Sequence, residues 1–189
     1  MVWVGATTSY QTTILTPLII LQLPDKTEKE QFSLSLFAFT AFGAGEVLGG
    51  FIHGLIIDKI GSKKAVILNV FFIIIAMSCT QISLYTLTYN YLTFITTFLW
   101  GYQDGMNNIF LFQILGFEFE QGGDPFAVMS IVTDITCFTF DLVGSTINTK
   151  SQRNMQIYTG VYMIFAIVAS SITYWFPFTD RCPSVKDKE

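Results

Sequence analysis

The stretch GAGEVLGGFIHGLIIDKIGSKK, residues 43–64, decides how the chain is read. Its charges gather at the far end, in Asp58, Lys59, Lys63 and Lys64. The run before them is apolar or glycine from Phe32 onward, broken only by Glu46, His53 and small polar residues. Crossing a bilayer core takes roughly 20 helical residues, and residues 32–57 exceed that length. A second apolar run, residues 65–88, follows at once. The pattern is two membrane spans joined by a short charged turn, with Gly61 free to make the reversal.

Working outward, the same pattern repeats. A first span covers residues 2–23, rich in Thr and Gln, with Pro17 as an expected kink and its first half able to lie outside the hydrocarbon. Pro24 and the charges of residues 25–30 end it. The third span, with its all-apolar core at residues 70–77, is expected to face lipid. A fourth span at residues 91–116 follows the link Tyr89-Asn90, with Tyr85, Tyr89 and Tyr91 as an interfacial belt. An acidic, glycine-rich loop over 117–126 precedes spans at 127–149 and 155–178. A short charged tail, 179–189, closes the chain. The expected fold is an all-α polytopic membrane bundle of six transmembrane helices in one domain.

Composition agrees. Charged residues are 13% of the chain, against roughly 25% in soluble domains. A net charge of −4 argues against a nucleic-acid partner. The three cysteines, Cys79, Cys137 and Cys182, have no metal-ligand spacing. One histidine leaves no room for a metal cluster or a hydrolytic triad, so the chain does not read as an enzyme, and no cofactor is expected. The N-terminus has no basic region or cleavage pattern of a signal peptide. With six spans, Lys59, Lys63, Lys64, Arg181, Lys186 and Lys188 fall on the side of the termini. Lys26, Lys29, Lys150 and Arg153 fall on the other. The positive-inside rule then favours a cytoplasmic or matrix-like face for the termini.

Two features inside the spans call for explanation. Gly45/Gly49 and Gly50/Gly54 are small-xxx-small pairs, which let a second helix backbone approach closely. Glu46, His53, Asp104, Asp134 and Asp141 are ionisable, and a carboxylate at mid-membrane costs about 2.5–3.5 kcal/mol on insertion scales. They must face protein or water. Helical spacing groups Glu46, Gly49, Gly50 and His53 on one face, and Gly101, Asp104 and Asn108 on another. Asp134, Cys137, Asp141, Ser145 and Asn148 share a third.

The turn after span two carries a resemblance. Gly54, Asp58, Gly61, Lys63 and Lys64 resemble the signature loop of the major facilitator superfamily, in the position between second and third spans that the family requires. Ser62 departs from it, standing where a basic residue is preferred. Residues 43–50 resemble the second or eighth helix of the Unc-type (uncoordinated) branch, and residues 101–108 its Gly-x-x-Asp segment in the fourth or tenth helix. The resemblance implies a single six-helix half of that fold, taken as the C-terminal half. The family has two halves with the substrate path between them.

Two functions follow as expectations. The first is an accessory, scaffold or regulatory subunit of a larger membrane assembly, with the polar stripes meeting partner subunits. The alternative is a proton-coupled small-solute transporter formed by two six-helix halves, with Glu46 or Asp104 exchanging the proton and His53 relaying it. Asp58 is expected to accept hydrogen bonds from the N-terminus of a facing helix. The sequence names no membrane. The inner mitochondrial membrane, within an energy-converting complex, is one location compatible with it.

Overall fold

The computed structural model describes residues 1–119, 123–147, 149 and 151–178. The expected tail at 179–189 lies outside the described residues, as do Asn148 and Glu120. Every regular element among the described residues is helical. Helix α1 (Val2–Tyr10) passes through a π-helical turn (Gln11–Leu15) into α2 (Thr16–Leu21). There follow α3 (Glu28–Ile60), α4 (Ser62–Thr86), α5 (Tyr91–Glu118), α6 (Asp124–Ser145) and α7 (Gln152–Trp175). Four of them, α3, α4, α6 and α7, are long and apolar enough to cross a membrane, which makes the chain an integral membrane protein.

The ends differ from expectation for local reasons. Helix α3 starts at Glu28, inside the charged stretch assigned to a loop, because Thr27 and Glu30 form a reciprocal capping box. The Thr27 N–H donates to Glu30 Oε2 at 3.0 Å. Asn90 caps α5 in the same manner, its Oδ1 accepting from the Leu92 N–H at 2.8 Å. Helix α6 ends at Ser145, four residues before the expected limit of 149. Gly61 turns α3 into α4 with φ 80°, the left-handed side that glycine adopts without strain.

Pro17 does more than kink the first segment. It has no N–H to give the Thr13 carbonyl. The helix widens into a π turn just before it, and the Thr16 hydroxyl donates to the Gln11 carbonyl at 3.0 Å. The first half of this segment packs inside the bundle, with Ala6 and Tyr10 fully buried. Tyr10, Ile14, Leu15, Leu18 and Ile19 are fully buried. Tyr10 stacks on Trp100 at 4.4 Å and meets Tyr162 at 4.9 Å, tying α1 to α5 and α7.

Helix α5 is the hub. One face meets α3 and another meets α4. The α3–α5 contact is made by backbones: a Cβ on Gly45 would stand 2.8 Å from the Tyr102 nitrogen, and one on Gly105 would stand 2.8 Å from the Gly50 nitrogen. Gly49 is closed off by the Tyr102 carbonyl and Gly101 by that of Phe42. The seam is therefore Gly45/Gly49 on α3 meshed with Gly101/Gly105 on α5. Gly50 and Gly54 have ordinary space before them, with their nearest atoms 3.7 and 3.8 Å from a would-be Cβ.

Elsewhere α1 pairs with α6, and α4 with α7. The expected lipid-facing core of α4 is half inside: Ile73, Ala76 and Met77 are buried, whereas Phe71 and Ile74 are exposed. Tyr85 and Tyr91 are exposed as a belt requires, but Tyr89 turns in and donates to the Leu34 carbonyl at 3.0 Å.

The seam gives a direct prediction. Gly45→Val or Gly101→Val forces two backbones apart, and should cost at least the roughly 1–3 kcal/mol typical of overpacking. Gly43→Ala, with nothing within 4 Å of its Cβ, should leave stability unchanged or slightly raised. Thermal melts of the detergent-solubilised variants measure the difference.

Candidate functional site

The ionisable residues of the spans meet four different fates. Asp104 is 9% exposed on the inner part of α5. The Asn108 side chain, one turn on, donates to its Oδ2 at 3.3 Å, while Oδ1 is buried with no hydrogen-bond partner. Glu46, across the seam on α3, is within electrostatic reach of Asp104 but exposed. The two expected stripes thus do come together, at the margin of the glycine seam.

His53 shares the helix but not the site. It is fully buried, neither ring nitrogen has a hydrogen-bond partner, and its ring lies edge-on to Phe110 at 6.3 Å. No hydrogen bond connects it to Glu46 or Asp104, so the relay role has no bonded path among the described residues.

On α6 the stripe divides. Asp141 receives hydroxyl bonds from Ser9 at 2.7 Å and Thr12 at 2.9 Å, and the Cys137 thiol donates to it at 3.6 Å. It is a structural clamp between α1 and α6, reinforced where Gly5 lets the two helices close up at Thr133 and Thr136. Asp134, two turns earlier, is exposed on a face that also shows Ile131, Ile135 and Phe138.

A side chain of α5 ties down the signature turn. Gln113 Nε2 donates to Asp58 Oδ1 at 2.6 Å, tying the end of α3 to α5. Gly54 packs loosely on Ile109. Lys63 and Lys64 are exposed on the first turn of α4.

Sequence reasoning missed a second polar cluster. Asn69 on α4 donates to Asn107 Oδ1 at 2.7 Å, and Gln103 Nε2 bonds Asn69 Oδ1. Gln103 and Asn107 are one turn apart on α5, so their i, i+4 spacing was a readable signal. Asn69, a lone amide in an apolar run, was the other. The cluster borders a cavity of about 80 Å³ lined also by Trp3, Val66 and Ser170. Trp3 Nε1 and Asn107 Nδ2 are buried there without hydrogen-bond partners. A few waters fit that space, which falls far short of the roughly 300 Å³ at which solute pockets begin. Further along the bundle Gln22 bridges Ser83 and Thr93, both at 2.8 Å, joining α4 and α5 to the end of the first segment. Among the described residues, no group of three His, Cys, Asp or Glu side chains forms a metal site.

Compared with protein-family models, with curated proteins and with solved structures, the chain matches none of them.

The clamp is testable. Asp141→Ala removes two hydroxyl bonds to a carboxylate; the one from buried Ser9 contributes about 1.5–3 kcal/mol, and the one from exposed Thr12 less. Hydrogen exchange should accelerate in α1 and α6 and stay unchanged along α3 and α5.

Proposed function

We propose that the chain is a six-span membrane protein, arranged like one half of a major facilitator, that serves as an accessory or scaffold subunit of a larger membrane assembly. All six helical segments cross the bilayer in this reading, with α1, the π turn and α2 together making the first span. Helix α5 crosses despite Gln103, Asp104, Asn107 and Asn108, since Gln103 and Asn107 bond Asn69 on α4 and Asn108 bonds Asp104.

The observation that carries the proposal is the exposure of Glu46 and Asp134 on membrane-length helices. Facing lipid, each would cost about 2.5–3.5 kcal/mol. Facing another subunit, each finds polar company. Around them Val47, Phe51, Ile131 and Phe138 are exposed, as expected of a surface buried in lipid or protein. The small volume of the inner cavity also favours a binding role over a carrier complete within one chain.

Two experiments bear on this. Cysteines placed at Thr27 and Thr88 should label from one side of sealed membranes, and a cysteine at Ser62 from the other; labelling of all three from one side overturns the six-span arrangement. Extraction in mild detergent should yield the chain in a complex of constant composition, and a monodisperse monomer would remove the accessory reading.

The transporter reading retains one supporting observation. Asp104 is buried beside Glu46 with an oxygen that accepts no hydrogen bond among the described residues, and in this reading that carboxyl exchanges the proton. Two paired halves would place that site at their interface. Proton-driven uptake into liposomes should then fall at least about tenfold, the low end for losing a proton-transfer group, in Asp104→Asn. Unchanged uptake would exclude the role.

A further inference from the structure

Beside the tight glycine seam, α3 carries a second line of small residues. Gly43, Gly50 and Gly54 fall on one stripe with Glu46, over about 16 Å of helix at 1.5 Å per residue. This stripe is open at Gly43 and touches α5 at ordinary contact distance at Gly50 and Gly54. Nothing lies within 4 Å of a Cβ built on Gly43, and the nearest atoms to Gly50 and Gly54 belong to α5 at 3.7 and 3.8 Å. It forms a shallow groove whose floor is backbone. One wall is α5 at Gly105 and Ile109, and the other rim is the exposed apolar row Val47, Phe51 and Leu55.

The groove has a charge at its middle. The spans hold four carboxylates, on Glu46, Asp104, Asp134 and Asp141, and no Lys or Arg. Asp141 is satisfied from within by three donors. Among the described residues Glu46 receives no hydrogen bond, and nine-tenths-buried Asp104 beside it keeps one oxygen unpartnered. Two carboxylates within reach of one another, in a medium of low dielectric, have no counter-charge among the described residues. A lipid tail fills a groove but brings no charge. A helix brings both: its backbone can sit on a glycine floor, and a single basic side chain can reach both acids.

We propose that the groove of Gly43, Gly50 and Gly54 beside Glu46 and Asp104 receives a transmembrane helix of a partner subunit that carries one Lys or Arg at mid-membrane depth. The proposal rests on the accessory-subunit reading and specifies the partner's chemistry. The basic side chain neutralises the acid pair, and small residues on the incoming helix would deepen the fit. The contact also explains how Glu46 is tolerated on an outward face.

The full chain in lipid nanodiscs and fluorescent single-span polyleucine peptides test this by energy transfer. A peptide with one central Lys should associate roughly tenfold more tightly than the all-Leu peptide, the scale of one polar interhelical contact in lipid. Glu46→Gln with Asp104→Asn should abolish the preference. Glu46→Gln alone, at an exposed residue that makes no hydrogen bond, should reduce it without disturbing the fold, and Gly50→Val should weaken binding by filling the groove. Equal binding of the Lys and Leu peptides overturns the proposal, as does a Lys preference that survives in both acid variants. A chain that extracts as a monomer while retaining the Lys preference counts against the accessory reading and not against the groove. A chain extracted in a stable complex without any Lys preference does the reverse.

Discussion

Gly45 and Gly49 on α3 press against Gly101 and Gly105 on α5 so closely that backbone meets backbone. Without side chains between them, the two helices are held by dispersion over many atom pairs and by the weak polarity of their Cα–H groups. In lipid there is little hydrophobic gain from pairing apolar helices, so such close approach is a main source of association. It also fixes what every neighbouring residue does. With one face of α5 consumed by α3, its remaining faces take the rest of the core. Gln103 and Asn107 turn to Asn69 on α4, and Trp100 donates to Thr80 at 2.8 Å while its ring packs on Tyr10. A helix with that many amides is tolerable at the centre because its partners lie within one bundle.

The number and approximate limits of the helical segments were legible in the residues. Long apolar runs and the placement of Lys and Arg between them reflect the cost of desolvating charge, which acts on sequence directly. The early start of α3 was legible too, since Thr27 and Glu30 stand in capping-box spacing, but the surrounding charges read more readily as a loop. The pairing of helices was half visible. Gly45/Gly49 announced a close contact, whereas its mate at Gly101/Gly105 lay hidden inside a segment whose Asp and Asn drew attention to chemistry. Choosing Gly45/Gly49 over Gly50/Gly54 as the tight pair requires knowing the rotation of α3 about its axis. That rotation is settled by all its neighbours together and not by the local sequence.

The acids show the same limit. Periodicity placed Asp134 and Asp141 on one stripe, and the spacing is correct. Yet Asp141 is held by Ser9, Thr12 and Cys137, and Asp134 is exposed. Helix α6 lies against the first segment from Met129 to Gly144, yet only at Asp141 do hydroxyls of that segment reach the stripe. Ser9 and Thr12 lie more than a hundred residues from Asp141 in sequence, and nothing local in α6 announces them. His53 is the converse case. Its spacing from Glu46 suggested a relay, but the slight rotation between the two positions puts the imidazole inside against Phe110 and the carboxylate outside.

These placements bear on what kind of protein this is. A carrier gathers polar groups around an internal path and presents an apolar exterior. Here the amide cluster of Asn69, Gln103 and Asn107 is bonded largely to itself around a cavity of about 80 Å³. The unsatisfied charge is at the margin, on Glu46, Asp104 and Asp134, where the bundle ends. Insertion of such residues into lipid is unfavourable, and the most economical way to remove the penalty is a neighbour that covers them. If that neighbour is another six-helix unit, the margin becomes the centre of a pathway and the acids acquire a transport role. If it is a basic single helix, the acids become an address.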